Sequence, residues 1–317
     1  MRSEGPPRKG LLVYNPRAGS RDRREAMRAA VATAARAGLA LLPLETERRG
    51  HATELVEAHI AEGPDLVAVG GGDGTLAEVA AAAETLDRHS TPIALLPTGT
   101  TNVIAREYGI GRSLAEAEKH LLSRRTRPLS VFRAWSGPPG ASASRASVLS
   151  VGVGFDARVM SRAVPLLKRL FGRTGIGWTA TVEWLRYEFP EIAVEGLDPE
   201  GRPFSAEATF AVATNTKRYG GEPILSPFAD PESPLLELVL FSARGRWPLI
   251  RFYGRLSRGR AEHLEMAGVE RRRVSEVTAR SLAGYELEVH VDGDAAGTTP
   301  VSVRPAGRIR LVVPEET

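Results

Sequence analysis

Three short loops rich in glycine, threonine and asparagine contain the residues of this chain that are best spaced for chemistry. They read GGGDGT (Gly70–Thr75), NPRAG (Asn15–Gly19) and PTGTTN (Pro97–Asn102). A glycine-rich turn lets backbone N–H groups approach a phosphate, and a helix that starts at the turn adds partial positive charge. Two of the three asparagines of the chain lie in these loops, which chance explains poorly. The pattern predicts one phosphate-binding site built from three loops.

The glycine stretch differs from two common nucleotide-binding motifs. No lysine follows it as in the GxxxxGKS/T loop, and the GxGxxG spacing does not fit. Asp73 within the stretch is suited to orient Mg²⁺ or a water on the phosphates, as phosphoryl transfer requires. It is equally suited to cap a helix in an ordinary turn, and the loop alone does not separate these two interpretations.

Strands that end at these loops are needed to bring them together. Short apolar runs at residues 10–14, 39–44, 65–69 and 92–96 are typical of buried strands, and segments with helical apolar spacing follow them. This alternation predicts a doubly wound parallel sheet covered by helices on both faces. Ligands bind beyond the carboxyl ends of the strands in such sheets, and each of the three loops follows a predicted strand.

The pattern changes after about Arg127 and predicts a mostly antiparallel β domain. Strand-like segments lie at residues 148–153, 208–214, 235–241, 285–291, 300–303 and 308–313. Turns are predicted at LDPEG, DGDAAG and PAG, a loop at Ser136–Ser144, and helices at Pro165–Phe171, Thr179–Arg186 and Trp247–Ser257. We therefore predict an α/β domain at 1–127 and a β-rich domain at 128–317. The last strand either returns to the first domain or closes the second.

Composition excludes several classes of function. The 317 residues include no cysteine, which excludes disulfides, thiolate catalysis and cysteine-bound metal, and six histidines lack the spacing of metal ligands. We interpret the histidines as surface or ordinary packing residues. No apolar run suits a transmembrane helix or a signal peptide, so a cytoplasmic location is predicted. The net charge of +4 favours anionic phosphates or membrane surfaces, and nothing indicates a nucleic-acid partner.

The three loops, in this order and spacing, resemble the catalytic family of diacylglycerol-kinase-type lipid kinases, which includes sphingosine and ceramide kinases. The stretches VGVGFDA (Val151–Ala157), TNTKRYGG (Thr214–Gly221) and VDGDAAGTTPV (Val291–Val301) extend the resemblance over nearly the whole chain. It implies an ATP- and Mg²⁺-dependent kinase that transfers the γ-phosphate to a hydroxyl of diacylglycerol or a similar amphipathic lipid. It also implies a β-sandwich-like second domain, with the active site in the cleft between the domains.

The resemblance implies a role for individual residues. The general base of the family closes a DGE motif, which here reads Asp292-Gly293-Asp294, so Asp294 takes that role with Asp292 and Asp73 as competing candidates. The implied nucleotide-binding residues are Asn15, Pro16, Arg17, Ala18, Gly19, Thr46, Gly71, Gly72, Asp73, Gly74, Thr75, Leu76, Glu78, Thr100 and Asn102.

The chain departs from the family pattern at three places. Val103 replaces an aspartate of the GTxND motif, and Asp294 is one methylene shorter than the glutamate of DGE. The acidic DDG segment that holds a structural Mg²⁺ aligns with Glu232-Ser233-Pro234, so Asp230 and Glu232 are the substitute metal ligands.

Two alternatives to the lipid kinase remain open. One is an NAD-kinase-like enzyme acting on a soluble acceptor, because GGDGT is shared with that family, although no Asn-Glu dipeptide of the NAD kinase type exists here. The other is a nucleotide- or lipid-binding regulator that has lost catalysis.

Two basic amphipathic stretches, Pro165–Arg173 and Trp247–Arg260, are suited to contact a lipid substrate at a membrane surface. Each is equally suited to pack one face on the β domain while its basic face stays in water. A homodimer is compatible with the sequence.

Overall fold

The structure, a computed structural model, describes residues 8–19, 22–82, 86–87, 90–111, 113–138, 143–162 and 182–315. The chain divides into two compact units, Met1–Val131 with Gly307–Thr317, and Phe132–Ala306. The predicted amphipathic stretch Pro165–Arg173 lies outside the described residues. None of the helices in the described part is long and apolar enough to span a bilayer.

The first unit contains a parallel sheet with helices between its strands, as predicted. Its strands are β1 (Arg8–Tyr14), β2 (Leu39–Glu45), β3 (Leu66–Gly71) and β4 (Ile93–Pro97). Its helices are α1 (Arg24–Arg36), α2 (His51–His59), α3 (Asp73–Ala80), α4 (Val103–Glu107) and α5 (Leu114–Glu118), with a 3₁₀ turn at Ile60–Glu62. The strand order is β2-β1-β3-β4. All four predicted strands form, each within two residues of its predicted ends.

Apolar side chains explain why these elements form. Every residue of β3 is buried, which matches its uninterrupted apolar sequence and its place inside the sheet. Helix α1 buries Met27, Ala30 and Ala34, which recur at helical spacing along one face.

The second unit is a mostly antiparallel β structure, as predicted. Its strands and its helices α6 and α7 are bounded as follows: β5 (Thr126–Ser136, which begins in the first unit), β6 (Ala143–Ser147), β7 (Ser150–Val153), α6 (Phe155–Arg162), β8 (Ile192–Leu197), β9 (Pro203–Ala208), β10 (Phe210–Thr214), β11 (Leu236–Phe241), α7 (Arg246–Leu256), a 3₁₀ turn at Glu262–Glu265, β12 (Val269–Val274), β13 (Glu276–Ser281), β14 (Glu288–Val291), β15 (Asp294–Thr298) and β16 (Val301–Val312).

Six of these strands form a sheet in the order β12-β11-β10-β7-β14-β15, and each adjacent pair is antiparallel. Strands β8, β9 and β13 form a second antiparallel group with the start of β16. Side chains of both groups, Val151 and Val194 among them, share one buried cluster, which is the core expected of a sandwich.

Two predicted irregular segments were wrong in part. The PAG sequence at Pro305–Gly307 is not a turn, because β16 runs through it from Val301 to Val312. Val301–Val303 pair with β13, Leu311 pairs with β4, and β5 also pairs with this long strand. The predicted loop Ser136–Ser144 is strand at both ends, since β5 ends at Ser136 and β6 starts at Ala143.

Candidate functional site

The GGGDGT sequence forms the junction between β3 and α3. Gly71 ends the strand, Gly72 is extended, and the helix starts at Asp73. The amides of Thr75 and Leu76 donate to the Gly72 carbonyl at 3.0 and 3.1 Å. The first turn of the helix therefore begins directly after the last residue of the strand. A Cβ on Gly71 would lie 2.4 Å from the Thr75 hydroxyl oxygen, whereas a Cβ on Gly74 would meet nothing within 4 Å. The exposed first turn of α3 at Gly74 therefore offers space at the positive end of a helix.

The loop after β4 contacts this junction through backbone. A Cβ on Gly99 would lie 2.6 Å from the Cα of Gly72 and 2.8 Å from the Asn102 side-chain oxygen. The Thr98 amide donates to the Gly71 carbonyl at 2.9 Å, which continues the pairing of β3 and β4 into the two loops. Only glycine at both positions allows this approach, and the contact fixes one loop against the other.

The Asp73 carboxylate serves as the N-terminal cap of α4. It accepts hydrogen bonds from the amides of Val103 at 2.9 Å and Ile104 at 3.1 Å, and from the Thr101 hydroxyl at 3.3 Å. Asn102 occupies the N-cap position in the left-handed conformation without a capping hydrogen bond of its own. Burial raises the pKa of the Asp73 carboxyl above its ordinary value, and the hydrogen bonds oppose this shift.

Five predicted nucleotide-binding residues line one small pocket behind the glycine loop. Its lining consists of Val69, Gly71, Gly72, Asp73, Leu76, Leu95, Pro97, Asn102 and Ala105. Within the described part of the chain, the Thr98 hydroxyl and the Asn102 side-chain oxygen are buried without a hydrogen-bond partner. These two atoms are polar groups that a ligand or an ordered water can satisfy.

The NPRAG loop joins the same group of loops through an arginine that the sequence analysis missed. Arg23 donates from Nε to the Ala18 carbonyl at 2.9 Å and from Nη2 to the Thr98 carbonyl at 3.1 Å. Gly19 adopts φ +77°, and a Cβ there would lie 2.9 Å from the Arg23 guanidinium. Arg23 lies 75 residues from Thr98 along the chain, so no local pattern could have revealed the link.

Thr46 and Glu78, two further predicted residues, have clear structural contacts. Thr46 is buried at the end of β2, and its amide donates to the Tyr14 carbonyl at 2.9 Å. Glu78 faces α2, because its carboxylate accepts from the Ala52 amide at 3.3 Å and its carbonyl accepts from the Thr53 hydroxyl at 2.6 Å. The structure thus places Glu78 as a cap of α2.

The DGD sequence forms the tight turn of the β14–β15 hairpin. Asp292 and Gly293 have φ of +52° and +80°, as a two-residue type I′ turn requires. The Asp292 carboxylate accepts from the Ser147 hydroxyl at 2.7 Å and from the amides of Val148, Leu149 and Ser150 at 2.9–3.0 Å. Burial raises the pKa of Asp292, while these hydrogen bonds oppose the shift.

Asp294 differs from Asp292 in position. It is the first residue of β15, opposite Val291, and like Asp292 it is half-buried. The hairpin therefore separates two carboxylates, one that binds the turn before β7 and one that lies at the start of the next strand.

Asp156 and Tyr219, from two of the three later motifs, lie in a single polar cluster with His290, which immediately precedes the third motif. His290 Nε2 lies 2.9 Å from a carboxylate oxygen of Asp156, and the Tyr219 hydroxyl donates to the same oxygen. A Cβ on Gly152 would lie 2.2 Å from His290 Nε2, so the imidazole depends on that glycine. His290 is thus more than an ordinary packing residue, which corrects the interpretation made from the sequence.

The predicted metal ligands are not brought into a metal site. Asp230 accepts a hydrogen bond from the Glu232 amide at 3.0 Å in a turn before β11. Among the described residues, no three His, Asp or Glu side chains lie together as a metal site would need. Asp230 and Glu232 stay the predicted ligands, as one or two carboxylates are what Mg²⁺ commonly takes from a protein.

A glycine junction between a strand and a helix, on a parallel sheet, is an arrangement suited to bind phosphate. The chain belongs to the diacylglycerol kinase family: residues 9–134 match the diacylglycerol kinase catalytic domain, and residues 149–315 match the YegS C-terminal NAD kinase beta sandwich-like domain.

Curated relatives agree with this family. The chain is 26% identical over 306 residues to a protein of Mycobacterium tuberculosis named diacylglycerol kinase, covering 93% of this chain and 91% of the relative. It is 30% identical over 232 residues to a Pseudomonas aeruginosa protein named "Probable lipid kinase YegS-like", covering 73% and 70% of the two chains.

Solved structures agree in fold. A diacylglycerol kinase structure from Bacillus anthracis has a TM-score of 0.66 at 19% identity, covering 96% of this chain and 97% of that one. Yeast NADH kinase complexed with NADH has a TM-score of 0.53 at 11% identity, covering 99% and 85%.

Proposed function

We propose that the protein is an ATP-dependent lipid kinase that transfers the γ-phosphate to a hydroxyl of diacylglycerol or a similar amphipathic lipid. The observation that carries the proposal is the backbone contact between Gly72 and Gly99, which holds the exposed first turn of α3 open for phosphate. Family membership supports a kinase, and the acceptor is the part that the proposal adds.

In this proposal, the phosphates of ATP lie on the amides of the glycine loop, from Gly71 to Thr75. The loops Asn15–Gly19 and Pro97–Asn102, with Thr46, enclose the rest of the nucleotide. Mg²⁺ bound to the nucleotide would neutralise phosphate charge, as phosphoryl transfer generally requires. Asp230 and Glu232 are given no step in the transfer.

We assign the general base to Asp294 and structural roles to the two other candidate carboxylates. Each of those two carboxylates accepts at least three hydrogen bonds that hold neighbouring segments in place. Asp294, half-buried at the start of β15, is the carboxylate that we assign to receive a proton from a substrate hydroxyl. As that hydroxyl oxygen bonds to the γ-phosphorus, the bond from phosphorus to the β–γ bridging oxygen breaks, the proton passes to Asp294 and ADP leaves.

The test is transfer of labelled phosphate from ATP, with Mg²⁺, to diacylglycerol and related lipids in mixed micelles, with NAD as a separate acceptor. We expect a labelled lipid from the wild type and none from Asp294→Asn, while ATP binding measured by calorimetry is equal in both. Label on NAD alone would replace the lipid by a soluble acceptor. ATP binding without transfer to any acceptor would identify a regulator that has lost catalysis. A homodimer and a cytoplasmic location stay predictions from the sequence.

A further inference from the structure

The outer face of α7 carries large apolar side chains that point into solvent. Trp247 is 73% exposed and Ile250 is 41% exposed, although the opposite face buries Leu249, Phe252 and Leu256 in the unit's core. Positions 247, 250 and 254 share one side of the helix. A Cβ on Gly254 would meet nothing within 4 Å, so no packing contact explains a glycine there. The helix is therefore apolar on two sides, and only one of them is covered within the described residues.

A second segment extends this apolar surface. Leu185, in the helical turn at 182–186, is 55% exposed. The Arg246 guanidinium donates to the Leu185 carbonyl at 2.7 Å, and the Trp184 indole donates to the Arg246 carbonyl at 3.0 Å. These hydrogen bonds hold Leu185 beside the start of α7. We call the surface formed by these side chains and the nearby arginines the docking face; it consists of Leu185, Trp247, Ile250, Arg251 and Arg258.

Positive charge surrounds these apolar side chains. The stretch 242–261 contains six arginines and no acidic residue. Arg244 pairs with Glu191, and Arg258 lies 3.5 Å from Glu262. Among the described residues, no carboxylate lies within ion-pair distance of Arg251, which is exposed on α7. The docking face thus combines an exposed indole with Arg251, whose charge no described carboxylate offsets, and with Arg258, whose charge Glu262 offsets in part.

We propose that the docking face binds the surface of an anionic phospholipid bilayer. Arginine at this face pairs with headgroup phosphates, and the indole of Trp247 enters the interface between headgroups and acyl chains, where amphipathic rings are favoured. An anionic bilayer fits this face because its phosphates can pair with arginine while its acyl chains can contact the exposed side chains of Ile250 and Leu185. The proposal deepens the proposed function, since a lipid kinase has to reach an acceptor held in a membrane.

The test is sedimentation with phosphatidylcholine vesicles, with and without phosphatidylglycerol, in the absence of ATP. We expect binding to the anionic vesicles that weakens with added salt. Trp247→Ala should weaken it about tenfold through the lost apolar contact, and Arg251→Glu about fivefold or more through the reversed charge. Leu42→Ala and Arg280→Glu are matched controls, because Leu42 is exposed on β2 and Arg280 is exposed on β13. Thermal unfolding confirms that every variant is folded.

Equal binding by the wild type and both docking-face variants would overturn the proposal, as would no binding to either vesicle. A change of oligomeric state in Trp247→Ala, measured by sedimentation velocity without vesicle binding, would instead assign the face to a second copy of the chain. Kinase assays with a short-chain diacylglycerol dissolved as monomers separate this proposal from the proposed function. Docking-face variants should keep that activity and lose transfer to vesicle-bound lipid. Vesicle binding without phosphate transfer to any lipid would support the docking-face proposal and overturn only the proposed kinase activity.

Discussion

Gly72 and Gly99 touch through their backbones, since a Cβ on Gly99 would lie 2.6 Å from the Gly72 Cα. The two residues follow different strands, β3 and β4. Because both are glycine, neither has a side chain that could move aside to relieve a clash. Their contact sets the distance between the start of α3 and the loop that leads to α4. The space available for a phosphate therefore depends on two glycines that lie 27 positions apart in the sequence.

Gly99→Ala should force these two loops apart. We expect a loss of about 1–3 kcal/mol in the free energy of unfolding, because the added methyl meets backbone, and at least about tenfold weaker ATP binding. Denaturant unfolding and calorimetry measure the two effects. Gly254→Ala is the matched control, since its Cβ enters open space on a helix and should raise stability by about 0.5–1 kcal/mol. Unchanged ATP binding in Gly99→Ala would contradict the role of the contact.

Arg23→Ala should loosen the NPRAG loop from the loop after β4. The guanidinium donates to carbonyls of both loops, and a neutral methyl leaves Ala18 and Thr98 without that link. We expect about tenfold weaker ATP binding, with partial recovery in Arg23→Lys, because one ammonium cannot reproduce the two-pronged geometry. Arg28→Ala, an exposed arginine further along α1, is the control. Equal affinities for Arg23→Ala and Arg28→Ala would show that the link is dispensable.

Asp292→Asn should mainly reduce stability, whereas Asp294→Asn should mainly reduce phosphate transfer. The amide in Asp292→Asn offers one acceptor oxygen where four donors converge, so we expect a loss of roughly 2–4 kcal/mol in stability. Asp294→Asn should cost less stability than Asp292→Asn and should abolish phosphate transfer. Chemical denaturation and the labelled-ATP assay distinguish them. A stable Asp292→Asn protein without activity would reverse the assignment of the two carboxylates.

His263 should make stability depend on pH. The side chain is fully buried, its Nε2 donates to the Leu225 carbonyl at 2.8 Å, and burial lowers its pKa below 6.5. Below about pH 6.5 the unfolded chain therefore binds a proton that the folded chain does not, and stability falls as the pH falls. The His263 contribution is complete above that pH and declines towards the lowered pKa.

His263→Gln keeps a donor for the Leu225 carbonyl but does not titrate. We expect this variant to be less stable than the wild type near neutral pH and the difference to shrink between about pH 6.5 and 5. Urea unfolding of both proteins across this range measures it. A constant difference would exclude His263 as the titrating group.

The sequence predicted the parallel strands well because their apolar runs are short and bounded by glycine. Strands β12 and β13 were missed, since VERRRV and EVTARS contain charged residues and no apolar run. They form because neighbouring strands pair with them, which a local pattern does not reveal.

The site shows the same division. The glycine loops were evident from their composition, but the capping of α4 by Asp73 and the link made by Arg23 join residues 30 and 75 positions apart. The cluster of Asp156, Tyr219 and His290 likewise combines residues of two motifs noted as separate stretches with a histidine that lies just before the third.

Strand β16 starts in the second unit and ends beside β4 in the first. During translation, the residues up to Val131 therefore leave the ribosome long before Gly307–Val312 arrive to cover the edge of β4. At about 5–20 residues per second, the delay is roughly ten to thirty-five seconds. An uncovered strand edge can pair with another chain, so the nascent protein is vulnerable to aggregation during this interval. Chains terminated early, before Gly307, would keep that edge open permanently.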